Sequence, residues 1–171
     1  QFTDQSTASG TEIASWLWDF GDDSTSTEQD PQHTYPEPGV YTASLTVTDS
    51  SGIVSATDTL ATPITVFLFD ADFTADTTFG LAPHTVNFTD LSLAEYIEIG
   101  IHYWMFYEGD DATSAEQNPF HNYQSPGNYN VRLTIYDSGG LYSDFELKQE
   151  YINIISLNPD FIADVTYGDA P

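Results

Sequence analysis

Apolar and polar positions alternate with a period of two along most of this chain. Over 40–49, Tyr41, Ala43, Leu45 and Val47 alternate with Thr42, Ser44, Thr46 and Thr48. Over 128–136, Tyr129, Val131, Leu133 and Ile135 alternate with Asn130, Arg132, Thr134 and Tyr136. Successive side chains on a strand point to opposite faces, so both runs predict strands buried on one face and wet on the other. Trp16, Trp18 and Phe20 share a strand face; Trp104 and Phe106 repeat it, and Glu108 closes it with a charge. Phe73, Ala75, Thr77 and Phe79 alternate as a first strand, and residues 53–66 and 141–155 read as last strands. Turn residues stand between these runs: Gly21-Asp22-Asp23, Glu37-Pro38-Gly39 and Asp49-Ser50-Ser51-Gly52. No segment carries a helical period. The pattern predicts an all-β antiparallel sandwich.

The chain also repeats itself. Residues 16–83 align without a gap on 104–171 at an offset of 88, and Phe2-Thr3-Asp4 matches Phe88-Thr89-Asp90 at an offset of 86. Under this alignment Trp16 falls on Trp104, and Asp72-Phe73 on Asp160-Phe161. The expected organisation is one domain over 1–66 that lacks its first strand, a second over 67–156, and a lone first strand over 157–171. Val66-Phe67 leaves almost no linker, which predicts a stiff, extended pair.

Charge narrows the partners. Twenty-seven Asp and Glu stand against Arg132 and Lys148 alone, a net −25. Such a field repels nucleic acid and anionic membrane, so neither is expected as a partner. No apolar run approaches the ~18 residues that a membrane span needs, and no leader segment is read at the N-terminus. The 40 % hydrophobic and 15 % aromatic content is that of a folded chain, and the absence of cysteine means the fold does not rely on disulfides.

Trp18-Asp19-Phe20-Gly21-Asp22-Asp23-Ser24, then Pro31-x-His33-x-Tyr35, Pro38-Gly39-x-Tyr41 and Leu45-x-Val47-x-Asp49, resembles the polycystic-kidney-disease (PKD) domain. The second repeat keeps Pro119-x-His121-x-Tyr123 and Pro126-Gly127-x-Tyr129 but reads Phe106-Tyr107-Glu108 in place of Trp-Asp-Phe. The resemblance implies two tandem immunoglobulin-like β-sandwiches, with the C-terminal strand belonging to a further domain. It also implies an extracellular or cell-surface setting on a microbe. It implies no reaction.

Candidate chemistry is sparse. The acidic turns Asp22-Asp23 and Asp110-Asp111, with Asp19 in the first domain only, could offer oxygen ligands to calcium. The competing reading is a solvated turn in a chain that is acidic throughout. His33 and His121 stand alone, without the further His or Cys a transition metal needs, and read as hydrogen-bonding side chains at a sheet end. No nucleophile elbow, His-Glu-x-x-His or phosphate loop is present, so no enzyme activity and no obligatory cofactor are expected. Tyr96, His102, Tyr103 and Tyr107 could form a glycan platform or pack in the core. Asn87-Phe88-Thr89 is a glycosylation acceptor triplet.

The tail suggests assembly. A sandwich without its first strand exposes a sheet edge and an apolar groove, which Phe2 would help line. Phe161, Ala163, Val165 and Tyr167 have the spacing to fill it. Burying the Phe, the Val and most of the Tyr contributes about 5–8 kcal/mol before the strand is ordered. Three readings stay open: donation of the strand to a neighbouring copy in a head-to-tail filament or surface layer, covalent continuation in a longer polypeptide, and a chain end placed inside a repeat. The competing function is a carbohydrate- or protein-binding spacer of a larger secreted protein.

Overall fold

The computed structural model describes residues 1–107 and 112–162. They contain sixteen strands and no helix. They fall into two compact units: unit 1 takes 1–69 with 94–98, and unit 2 takes 70–93 with the chain from Ile99 onward.

In unit 1, a four-stranded sheet has the order β2 (Thr25–Ser26), β1 (Ile13–Asp19), β4 (Ser44–Asp49), β5 (Ser55–Thr59). β3 (Gly39–Tyr41) pairs with β6 (Ile64–Val66). β7 (Leu68–Asp70) forms a two-stranded sheet with β11 (Leu93–Glu95). Residues 1–6 form no strand, and the Phe2 amide donates to the Pro31 carbonyl at 2.9 Å.

Unit 2 contains β8 (Phe73–Ala75), β9 (Phe79–Leu81) and β10 (His84–Asp90), followed by β12 (Ile99–Phe106), β13 (Ala112–Ser114), β14 (Phe120–Tyr123), β15 (Gly127–Asp137) and β16 (Ser143–Ile155). One sheet has the order β13-β12-β15-β16-β9, the other β14-β10-β8. Phe73 and Phe88 of the smaller sheet meet Trp104 and Phe106 of the larger, and all four are fully buried. Each such ring contributes roughly 1.5–3 kcal/mol on leaving water. Alternation survives in β12, where His102, Trp104 and Phe106 face inward while Ile101 and Tyr103 are exposed.

Cross-strand partners correct the alignment of the repeats. Trp18 pairs with Ser26 and Leu45; Trp104 pairs with Ser114 and Leu133. Trp18, not Trp16, is therefore the counterpart of Trp104, and Trp18-Asp19-Phe20 corresponds to Trp104-Met105-Phe106. The offset is 86 as far as Phe106 and becomes 88 by Ala112, so two extra residues enter the turn between. Trp-x-Phe is thus kept in both units. Glu108, Asp110 and Asp111 lie outside the described residues.

Two of the expected long strands are broken. The run 53–66 divides into β5 and β6 around Pro63, which has no N–H for a ladder. The matching run stays whole as β16, with Tyr151 in Pro63's place and an irregular register where Glu150 turns to φ 48°. The run 73–79 also divides: β8 pairs antiparallel with β10, and β9 pairs parallel with β16. The chain changes sheets at Asp76, whose carboxylate takes the Asn87 amide at 3.0 Å.

Candidate functional site

Two part-buried aspartates, one in each unit, are braces. In unit 2 the Asp90 carboxylate accepts from Ser92 N at 3.0 Å, Gln117 Nε2 at 3.1 Å and His102 Nε2 at 2.9 Å. In unit 1, Asp4 accepts from Ser6 N at 2.9 Å, Gln29 Nε2 at 3.1 Å and Trp16 Nε1 at 2.7 Å. Trp16 and His102, two unlike rings, fill one role. Burial pushes the Asp4 carboxyl up, but the hydrogen bonds from Ser6, Trp16 and Gln29 outweigh it and hold it at about 2.

His33 is similarly engaged. Its ring stacks on Phe20 at 4.0 Å and its Nε2 lies 2.7 Å from Asp22 Oδ2. The Ser24 hydrogen bond first, with His33 beside it, outweighs desolvation and holds the Asp22 carboxyl below the usual carboxylate range. His121 stacks on Phe106 in the same way, at 4.5 Å. Of the residues expected to offer calcium ligands, Asp22 is bound to Ser24 and His33, and Asp19 accepts the Gly21 amide at 2.9 Å. Asp23 has φ 67° in the turn. Among the described residues no three His, Cys, Asp or Glu side chains gather in a metal-sized group.

The Pro-Gly-x-Tyr motif has a steric cause. The Tyr41 ring folds back over Gly39, so its hydroxyl donates to the Glu37 carbonyl at 2.8 Å and the ring stacks on Tyr35 at 4.2 Å. A Cβ on Gly39 would stand 2.8 Å from that ring, and one on Gly127 would stand 3.0 Å from Tyr129. Gly39→Ala is expected to destabilise unit 1 by about 1–3 kcal/mol through overpacking, and Gly127→Ala to cost unit 2 less. Denaturant titration of each variant checks the order.

A cleft of about 1010 Å³ opens in unit 1, lined by Phe2, Trp18, Tyr35, Leu45, Val47 and Leu60 among others. Phe2 lies in its wall, 5.5 Å from Trp18 and 5.0 Å from Phe20. In unit 2 the corresponding walls carry β8, whose register on β10 sets Phe88 against Ala75 and Asp90 against Phe73. Lys148 clamps that strand: Nζ donates to Asp72 Oδ1 at 2.8 Å and to the Phe73 carbonyl, and lies 4.7 Å over the Phe73 ring. The Tyr151 hydroxyl adds an acceptor for the Ala75 amide at 3.1 Å. In unit 1, Leu60 and Pro63 stand in the places of Lys148 and Tyr151. Sequence reasoning missed Lys148, although its being one of two cations in the chain was a usable signal.

Of the proposed assembly strand, Phe161 is described and is 90 % exposed; Ala163, Val165 and Tyr167 lie outside the described residues. The expected tyrosine platform is divided. His102 faces inward to Asp90, whereas Tyr103 stands on the opposite face of β12 and Tyr107 donates to Met105 Sδ at 3.7 Å. Tyr96 is exposed at φ 61° and belongs to unit 1. Asn87 is exposed, and its Nδ2 donates to Asp76 Oδ2 at 2.6 Å.

The PKD domain family profile matches residues 1–64 and 98–149, more than half of the chain. The chain belongs to the PKD domain family. It is similar to collagenase ColA of Bacillus cereus, with 52 % identity over 50 residues, 29 % of this chain and 5 % of the collagenase. Over 53 residues it is 49 % identical to a microbial collagenase of Vibrio alginolyticus, 31 % of this chain and 6 % of that protein. Collagenase ColQ1 of Bacillus cereus strain Q1 is 30 % identical over 159 residues, 74 % of this chain and 16 % of the collagenase. The chain therefore spans a small part of the curated relatives it matches.

Proposed function

We propose that this chain is a non-catalytic pair of PKD domains that serves as a spacer within a larger extracellular protein. The observation that carries this reading is the confinement of the match: the chain aligns with 5–16 % of three collagenases, and the family profile accounts for that stretch. The state of its polar groups agrees. Asp4, Asp22, Asp90, His33 and His102 are each committed to a hydrogen bond that braces a sandwich. A net charge of −25 keeps such a module hydrated and away from acidic surfaces.

Incubating the isolated chain with gelatin and casein is expected to release no peptides. Replacing 1–171 in a parent secreted hydrolase by a Gly/Ser linker is expected to leave turnover of a small soluble substrate within about twofold and to lower attack on an insoluble one. Cleavage by the isolated chain, or collapse of turnover on the soluble substrate, would refute the reading. A second reading, head-to-tail association in a fibre or surface layer, is favoured by the open cleft of unit 1.

A further inference from the structure

We infer that the outer face of β12, β15 and β16 in unit 2 binds an uncharged polysaccharide, with sugar rings on Tyr103 and Phe145 and hydroxyls on the Arg132 guanidinium. Residues directly opposite each other in an antiparallel pair share one face. Register sets Tyr103 beside Thr134 and Thr134 beside Phe145. Two residues along, it sets Met105 beside Arg132 and Arg132 beside Leu147. Ile101 and Tyr136 continue the face at its other end. Tyr103 is 40 % exposed, Ile101 and Phe145 are each 53 % exposed, and Thr134 between the rings is buried.

The fold does not require such a face. The matched positions of unit 1 carry Leu17, Thr46 and Thr57, then Asp19, Ser44 and Thr59. There the Thr46 and Thr57 hydroxyls bond each other at 2.7 Å, as on an ordinary solvated sheet. One sandwich keeps this face polar, and the other sets aromatic rings on it.

Charge and size select the ligand. No carboxylate stands at these positions of unit 2, in a chain with 27 Asp and Glu, so the face offers nothing to a basic partner. Arg132 supplies its charge. The guanidinium lies 4.2 Å over the Phe145 ring, and Nε is buried with no hydrogen-bond partner among the described residues. Among those residues Arg132 enters no ion pair, whereas Lys148, the chain's other cation, is held by Asp72. A polyanion could use one guanidinium, but the net −25 repels it. A folded partner needs more surface. Strands about 4.8 Å apart, followed over about five residues of about 3.4 Å each, make a patch on the order of 200–300 Å², well short of the ~800 Å² that each side of a stable protein interface buries. A chain of neutral sugars meets both limits. Its C–H groups lie on the negative faces of aromatic rings, and its hydroxyls accept from the planar guanidinium fork.

The test uses the full chain and three neutral polymers, amorphous cellulose, chitin and curdlan, with alginate as the charged control. Saturable retention is expected on at least one neutral polymer and none on alginate. Tyr103→Ala and Phe145→Thr are each expected to weaken it by about two- to tenfold, the worth of one aromatic contact, and Arg132→Ser to weaken it as well. Leu17→Ser, at the matched place in unit 1, is expected to leave it unchanged. The melting temperature of each variant separates a lost contact from a lost fold. For the polymer that retains the chain, its soluble hexaose is expected to shift amide resonances of β12, β15 and β16 and to leave those of β1, β4 and β5 in place. Failure of all three neutral polymers to retain the chain overturns the proposal, as does equal retention on alginate, or retention that survives Tyr103→Ala combined with Phe145→Thr. A wild-type chain that dimerises in sedimentation velocity and becomes monomeric with Phe145→Thr assigns the face to a second copy and overturns it too. Because the isolated chain is assayed, each of these results leaves the spacer reading standing.

Discussion

Replacing Phe73 by alanine is expected to destabilise unit 2 by about 3–5 kcal/mol and to leave unit 1 unchanged. Phe73 is fully buried, packs edge-on to Trp104 at 5.1 Å and to Tyr151 at 5.7 Å, and carries the Lys148 ammonium over its ring. Truncation removes the apolar burial, leaves a cavity between two sheets, and takes away the ring under the Lys148 ammonium. In a domain of this size each kcal/mol moves the melting temperature by roughly 4–8 °C, so unit 2 should melt well below its wild-type temperature. Phe2→Ala removes a half-buried ring from the wall of an open cleft and is expected to cost unit 1 clearly less than Phe88→Ala costs unit 2. Scanning calorimetry of the three variants checks the contrast. A loss below ~1 kcal/mol for Phe73→Ala would mean that β8 is dispensable to unit 2.

The second large effect is expected at Asp90. Its side chain is 4 % exposed and accepts three hydrogen bonds, from Ser92, Gln117 and His102. Asp90→Ala removes the acceptor of two part-buried donors, the Ser92 amide and the His102 ring, and of the exposed Gln117 amide, at a cost of about 2–3 kcal/mol. Asp90→Asn keeps one acceptor oxygen and is expected to cost less. Burial pushes the Asp90 carboxyl up, but the bonds from Ser92, Gln117 and His102 hold it below its ordinary value. A lowered folded-state pKa adds stability that is complete above the ordinary carboxylate value and is lost as pH falls below it. For Asp4 that loss runs from about 4 down through about 2. Denaturant midpoints at pH 7 and pH 3 are therefore expected to differ more for the wild type than for Asp90→Asn. Equal differences would show that the Asp90 charge does not matter.

The alternation of Tyr129, Val131, Leu133 and Ile135 named the buried face of β15, and all four are buried. The tandem PKD organisation was equally legible, because its motifs are steric: Pro-Gly-x-Tyr needs a glycine under the folded-back ring. The register of the first strand was not legible. Side chains alternate with period two, so a slip of two residues leaves every face as it was. Trp104 matched Trp16 as well as Trp18 on pattern alone, and Gly109-Asp110-Asp111 drew the alignment two residues out. The cross-strand partners decide it: Ser26 and Leu45 for Trp18, Ser114 and Leu133 for Trp104. The pairing of His102 with Asp90 was hidden for a related reason: its counterpart is Trp16 with Asp4, and a ring N–H is conserved in geometry but not in residue type. The break at Pro63 was readable in retrospect, since proline interrupts a central ladder.

The central claim is that unit 1 has an open sheet edge where unit 2 holds β8. Amide hydrogen exchange at one matched pair of positions tests it most directly. The Leu91 amide donates to the Asp72 carbonyl at 2.8 Å, at the edge that β8 covers, and Gln5 stands at the same place in unit 1. Leu91 is expected to exchange slowly and Gln5 near its intrinsic rate. A Gln5 amide as protected as that of Leu91 would contradict the claim.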